Sequence, residues 1–250
     1  MRTDDDVPTL VAVGAAVAIA ASLAHEAFGH GLGCRLDGGT ITLITFLVFR
    51  CDGGGALADG GGPVGAFVVA ASCLVALWRL HPRLSVASLF AYALGVPVML
   101  WVFAQLVSEG IDGSDDWGFL ARDLGWPPAW HAIAIAVGAI GYVATIRIAT
   151  ALGRPIAAGR PARLLVPWAS TCIIAVLLAG LWHGGAAASA FDAFLSFGVA
   201  PLGYLFAIRA IAREPVGSDV VRRNIPWLAS VVVAVAAVAL TIARGVGKLA

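Results

Sequence analysis

Long apolar runs broken by short polar joints dominate this chain. Seven runs stand out, at Val7–Leu32, Pro63–Trp78, Leu84–Val107, Ala129–Ala151, Leu164–Trp182, Ala188–Ile211 and Pro226–Ala243. Each is near the roughly 20 residues that a helix needs to cross the hydrocarbon of a bilayer. Glycine and proline punctuate the joints, as at Gly60-Gly61-Gly62-Pro63, Trp126-Pro127-Pro128, Gly159-Arg160-Pro161 and Ile225-Pro226. The second run is short and begins in glycines, so six crossings stand beside seven. One segment follows a different rule. Thr40–Phe49 is rich in β-branched and aromatic residues, lies between Gly38-Gly39 and Gly53-Gly54-Gly55, and is too short to span. It predicts a strand or hairpin at the membrane surface. The expected fold is therefore an all-α multi-pass membrane protein. It is a bundle of six to seven transmembrane helices with a short β-strand or hairpin after the first span. No internal repeat or soluble domain interrupts it, and residues 1–250 read as a single domain.

Composition agrees with that pattern. The chain is 60% hydrophobic and 12% charged, with a mean hydropathy of +0.91, whereas a soluble domain carries about 25% charge. A net charge of +1 gives no argument for nucleic acid or an acidic partner. The first run lacks a small-residue cleavage site followed by a polar region, so it reads as a retained helix and not a signal peptide. With seven spans, the side holding the N-terminus collects Arg2, Arg79, Arg83, Arg147, Arg154, Arg160, Arg163, Arg209, Arg213, Arg222 and Arg223, out of 16 basic residues in all. Arg35, Arg50, Arg122, Arg244 and Lys248 fall on the other side. The positive-inside rule then makes the N-terminal side cytoplasmic, although an error of one span would reverse the later loops.

The chemistry concentrates at the end of the first run, in His25-Glu26-Ala27-Phe28-Gly29-His30. The run is read as a zinc motif of the His-Glu-x-x-His class. In that class two imidazoles one α-helical turn apart reach a single metal ion, and the glutamate beside the first takes a proton from a water on that metal. With three glutamates and five histidines in 250 residues, such a pattern arises by chance in roughly one chain in a thousand. His25 follows Val7 by about 27 Å of helix, near the far end of the first span. The loop with Asp112, Asp115, Asp116 and Asp123 falls on that same side, as do His131, His183 and Asp192. Ionisable residues at membrane depth are costly and face functional cavities.

A catalytic zinc takes three protein ligands and keeps one open position. Asp116 is the choice for the third, with Asp115 beside it, Asp192 and His183 as competitors, and an ordinary solvated acidic loop as the bland alternative. Asp192, flanked by aromatics, would also suit a partner that holds a ligand histidine; His131 is a weaker candidate. Cys73 and Cys172, inside apolar runs, read as small hydrophobes. Cys34 lies one turn beyond His30; either it approaches the metal or, on an oxidising side, it pairs with Cys51. No Cys-x-x-Cys is present, which argues against a thiolate zinc site.

Together these residues resemble the site-2-protease-like family of intramembrane zinc metalloproteases. The matching features are the His25–Gly31 run in the first span, the glycine-bounded strand segment after it, and Gly62-Pro63 at the next span. Asp116-Trp117 looks like the Asp-Trp element of a compact bacterial branch. The resemblance covers roughly residues 10 to 130. It implies His25, His30 and Asp116 as ligands of one Zn2+ per chain and Glu26 as general base. It also implies a membrane-anchored protein or peptide as substrate, within a bacterial cell membrane. The family's Asn-Pro and Asp-Gly third-ligand motif is absent, the single asparagine being Asn224. Family members also open their site toward the cytosol, opposite to the charge map. Two other functions fit the same residues: a multi-pass zinc hydrolase of a lipid amide or ester, and an inactive member that binds a partner.

Overall fold

A backbone surrounded by hydrocarbon has no water to bond with, so an apolar run satisfies its amides internally by folding as a helix. The computed structural model, which describes residues 4–80 and 83–247, shows this for all seven runs. Arg2 and Lys248 of the charge map lie outside the described residues. The spans are α1 (Val7–Leu36), α2 (Ala56–Leu80), α3 (Val86–Asp112), α5 (Trp130–Ala157), α6 (Ala162–Ala179), α7 (Ala186–Ile211) and α8 (Ile225–Arg244). A short helix, α4 (Asp116–Asp123), follows α3. This is a multi-pass membrane bundle, with seven helices of spanning length among the described residues. The run expected to begin at Pro63 starts seven residues earlier, because the glycines before Pro63 are helical. Most of α3 is buried and almost none of α8, so α3 lies at the centre and α8 at the periphery.

The strand segment forms a hairpin. β1 (Thr40–Ile44) pairs antiparallel with β2 (Phe49–Asp52), Ile41 opposite Cys51 and Ile44 opposite Phe49, with an irregularity between Ile41 and Leu43. Its turn is held by Thr45, whose Oγ1 accepts from the Val48 amide at 2.7 Å. The free edge of β1 is closed by Val246, which exchanges two 2.8 Å backbone hydrogen bonds with Ile44. Cys34 and Cys51 form a disulfide that ties the end of α1 to β2. That outcome removes Cys34 from the metal-ligand alternatives.

Glycines set the distance between α1 and α2. A Cβ on Gly29 would stand 2.5 Å from the Gly61 carbonyl oxygen, and one on Gly65 would stand 2.5 Å from that of Ala24. Small residues spaced by four let two membrane helices approach to backbone contact. At the opposite end of the bundle, Arg163 is fully buried. It pairs with Asp5 at 2.9 Å, donates to the carbonyls of Ala157 and Asp219, and so pins the N-terminal segment to two loops. Asp5 also accepts from the Val221 amide at 2.7 Å.

Candidate metal centre

The first expectation needs correction at the level of the helix. Three residues, Ala27, Phe28 and Gly29, separate Glu26 from His30, so the histidines are five apart and not the four of a His-Glu-x-x-His motif. In an α-helix five residues turn through about 500°, which would leave the imidazoles about 140° apart around the axis. The chain resolves this by widening the helix. Leu23–His30 is a π-helical segment, and the Gly31 amide bonds back to the Glu26 carbonyl, five residues earlier. Bonding from i to i+5 stacks residues five apart, and such wide turns recur at functional sites. His25 Nε2 and His30 Nε2 consequently meet at 3.2 Å.

Asp116 completes the group. Its Oδ2 lies 3.1 Å from His25 Nε2 and its Oδ1 3.3 Å from His30 Nε2. With one ligand atom taken from each of the three buried residues, all lie within 4.8 Å of one another. Ligands about 2.1 Å from a tetrahedral zinc stand about 3.4 Å apart, close to these separations. The hydrogen positions sharpen the point. His30 Nδ1 sits 2.6 Å from the Ala58 carbonyl, which can only accept, so Nδ1 carries the hydrogen. In neutral His30 a bare Nε2 lone pair then faces a carboxylate oxygen, and only a cation between them, a proton or a metal ion, relieves that contact. The donor set and its spacing fit a metal ion.

Burial alone would raise the Asp116 carboxyl, but hydrogen bonds from His25 and His30 outweigh it and hold the group below the usual carboxylate range. Asp115 goes the other way: although the residue reaches solvent, the protein packed around its carboxyl and then the charge of Asp116 push that group up.

Neighbouring elements hold these groups in place. Gln105 on α3 donates from Nε2 to Asp116 Oδ2 at 3.0 Å. Glu109, one turn further along α3, accepts from the Gly118 amide at 3.0 Å and fastens the start of α4, which carries Asp116. Gly113, with φ at +62°, ends α3 in the left-handed conformation and lets the chain reverse into that helix. Phe49 of β2 stacks on His30 with ring centroids 5.5 Å apart, and Trp101 of α3 lies against His25 at 4.8 Å. At Gly62 a Cβ would fall on His30 Nε2 and stand 2.7 Å from His25 Nε2, so only glycine leaves room there.

A cavity of about 710 Å³ opens over the triad. Glu26 lines it, 4% exposed, together with Asp59, Asp115 and Asp192 and an apolar wall that includes Leu47, Val48, Trp101 and Leu195. Asp115 and Asp192 reach the cavity but are outside the triad. His131 is elsewhere, its Nδ1 donating to the Gly110 carbonyl at 3.0 Å, and His183 is exposed and outside the cavity lining. Sequence reasoning missed Gln105 and Glu109, although two polar residues four apart in an apolar span are the signal that marks such sites. Compared with family models, curated proteins and solved structures, the chain matches none of them.

Proposed function

We propose that this protein is a membrane-embedded zinc metalloprotease of the site-2-protease-like kind, cleaving a membrane-anchored protein or peptide. The observation that carries the reading is the meeting of His25, His30 and Asp116, each turning a potential ligand atom toward the others beneath a cavity lined by a buried glutamate. Two imidazoles and a carboxylate favour zinc over harder ions. When bound, zinc would polarise a carbonyl and make a water acidic near neutral pH. Glu26, beside His25 and without a hydrogen-bond partner of its own, takes the water proton and returns it to the leaving amine. Gln105 keeps the Asp116 carboxylate turned toward the imidazoles. The apolar wall limits access of bulk water, and the cavity would receive an unwound stretch of substrate.

The Cys34–Cys51 disulfide supports an extracytoplasmic site, since disulfides persist in oxidising compartments. That agrees with the charge map and departs from the family's usual orientation. The apolar wall would equally receive an acyl chain, which keeps a lipid amide or ester as the second reading; peptide ends against free fatty acid among the products separate the two. The primary test is the metal content of detergent-purified wild type, His30→Ala and Asp116→Ala. About one zinc per chain, lost in both variants, is the expected result. Glu26→Gln should keep the metal and lose turnover, and unchanged turnover would refute its role as base.

A further inference from the structure

Among the described residues five carboxylates line the cavity, from Glu26, Asp59, Asp115, Asp116 and Asp192, and no lysine or arginine does. Two of them have work under the metalloprotease reading. The other three come from three different elements, the first turn of α2, the loop before α4, and α7. Arg122, on α4, lies outside the lining; it donates to the Gly113 carbonyl at 3.0 Å and sits 4.5 Å over the Phe119 ring, and its charge reaches Asp59 alone of the three. Glu26, one of the two with a role already, shows that a ligand belongs in the cavity: it is 96% buried, lines the same space, and has no hydrogen bond among the described residues. A cleft lined by one sign of charge with low-dielectric walls focuses its field on whatever enters. Even a bound zinc, facing Asp116 and Glu26, leaves the half-buried Asp59 and the solvent-exposed Asp115 and Asp192 at the cavity with no lysine or arginine among the described lining residues.

We propose that the cavity selects positive charge, so that its substrate is a peptide segment carrying lysine or arginine beside the bond to be cut. This rests on the metalloprotease reading and names its substrate class. Chains bearing carboxylate or phosphate near the reacting carbonyl meet the same field as repulsion, and that repulsion supplies discrimination. The field of partly solvated carboxylates is screened at high salt, where the Debye length shrinks to about 3 Å at 1 M.

The test uses three N-acetyl dipeptide hydroxamates that differ only in a lysine, norleucine or glutamate side chain. Each is titrated calorimetrically into zinc-loaded full-length protein in an uncharged detergent. The lysine compound should bind at least about tenfold more tightly than norleucine, and glutamate at least about tenfold more weakly. The spread should narrow in Asp59→Asn/Asp192→Asn and in wild type at 1 M salt, the latter needing no variant to fold. Equal binding of all three, or a spread indifferent to salt, overturns charge selection and leaves the metal site standing. Failure of every hydroxamate to bind the zinc-loaded protein overturns the metalloprotease reading and the selection with it.

Discussion

Replacing Gly62 with alanine puts one methyl group at the point where the two imidazoles meet. The added Cβ would fall on His30 Nε2 and stand 2.7 Å from His25 Nε2, and both rings are buried. The helix itself gains, since alanine in a helix interior is better than glycine by roughly 0.5–1 kcal/mol. The fold should therefore survive. Overpacking of this size costs about 1–3 kcal/mol. The strain falls on the pose in which both Nε2 atoms converge, which is the pose that a metal requires. At about 1.4 kcal/mol per tenfold, zinc affinity should drop between about 5-fold and 150-fold. The matched control is Gly31→Ala, one residue past His30, where a Cβ would meet nothing closer than the Glu26 carbonyl at 3.4 Å. That variant should bind zinc as wild type does. Competition against a chromogenic chelator on detergent-purified protein reads both, with circular dichroism to establish equal helix content. Wild-type affinity in Gly62→Ala would refute the convergence of His25 and His30 beside α2.

Gln105→Leu removes the hydrogen bond that orients Asp116 and should weaken zinc binding about 10- to 100-fold, the usual cost of losing a partner behind a ligand; the same chelator competition measures it. Arg163→Met strands Asp5 without its buried partner and should lower stability by about 3–5 kcal/mol. Adding Asp5→Asn should restore much of that loss in a detergent unfolding titration, and no restoration would break the pairing argument. Cys51→Ala opens a loop whose ends are 17 residues apart. The expected loss is about 3 kcal/mol, read as a lower melting temperature that a reducing agent reproduces in wild type.

The spans were legible because hydropathy over about 20 residues is a local property, and the bilayer enforces it without reference to the rest of the chain. His25, Glu26 and His30 stood out for a similar reason, as rare charged groups in an apolar run. Asp116 was reachable by placing loops on sides, but its neighbour Asp115 shares that placement, and only the chain reversal after Gly113 decides which carboxylate meets the two imidazoles. What stayed hidden depends on pairing across the fold. The pitch of the helix at Leu23–His30 cannot be read from a spacing judged against α-helical geometry alone. The value of Gly62 lies in the rings opposite it, and the Gly62-Pro63 pair that marks it in the sequence says nothing of those rings. The choice between metal and disulfide for Cys34 was likewise settled by where β2 folds back.

Val246 closes the edge of β1, and this gives the molecule a schedule as well as a shape. Synthesis delivers His25 and His30 in the first helix, Asp116 only after two more spans, and the strand contact of Val246 only after all seven. Until then the hairpin that carries Phe49 shows bare amides and carbonyls beside the triad, and an unpaired edge of that kind recruits other chains. A ribosome that stalls after the sixth span therefore releases a protein with His25, His30 and Asp116 all present and an adhesive flank. Such fragments should oligomerise, and the segment after the last span protects its neighbours from them as much as it anchors the fold.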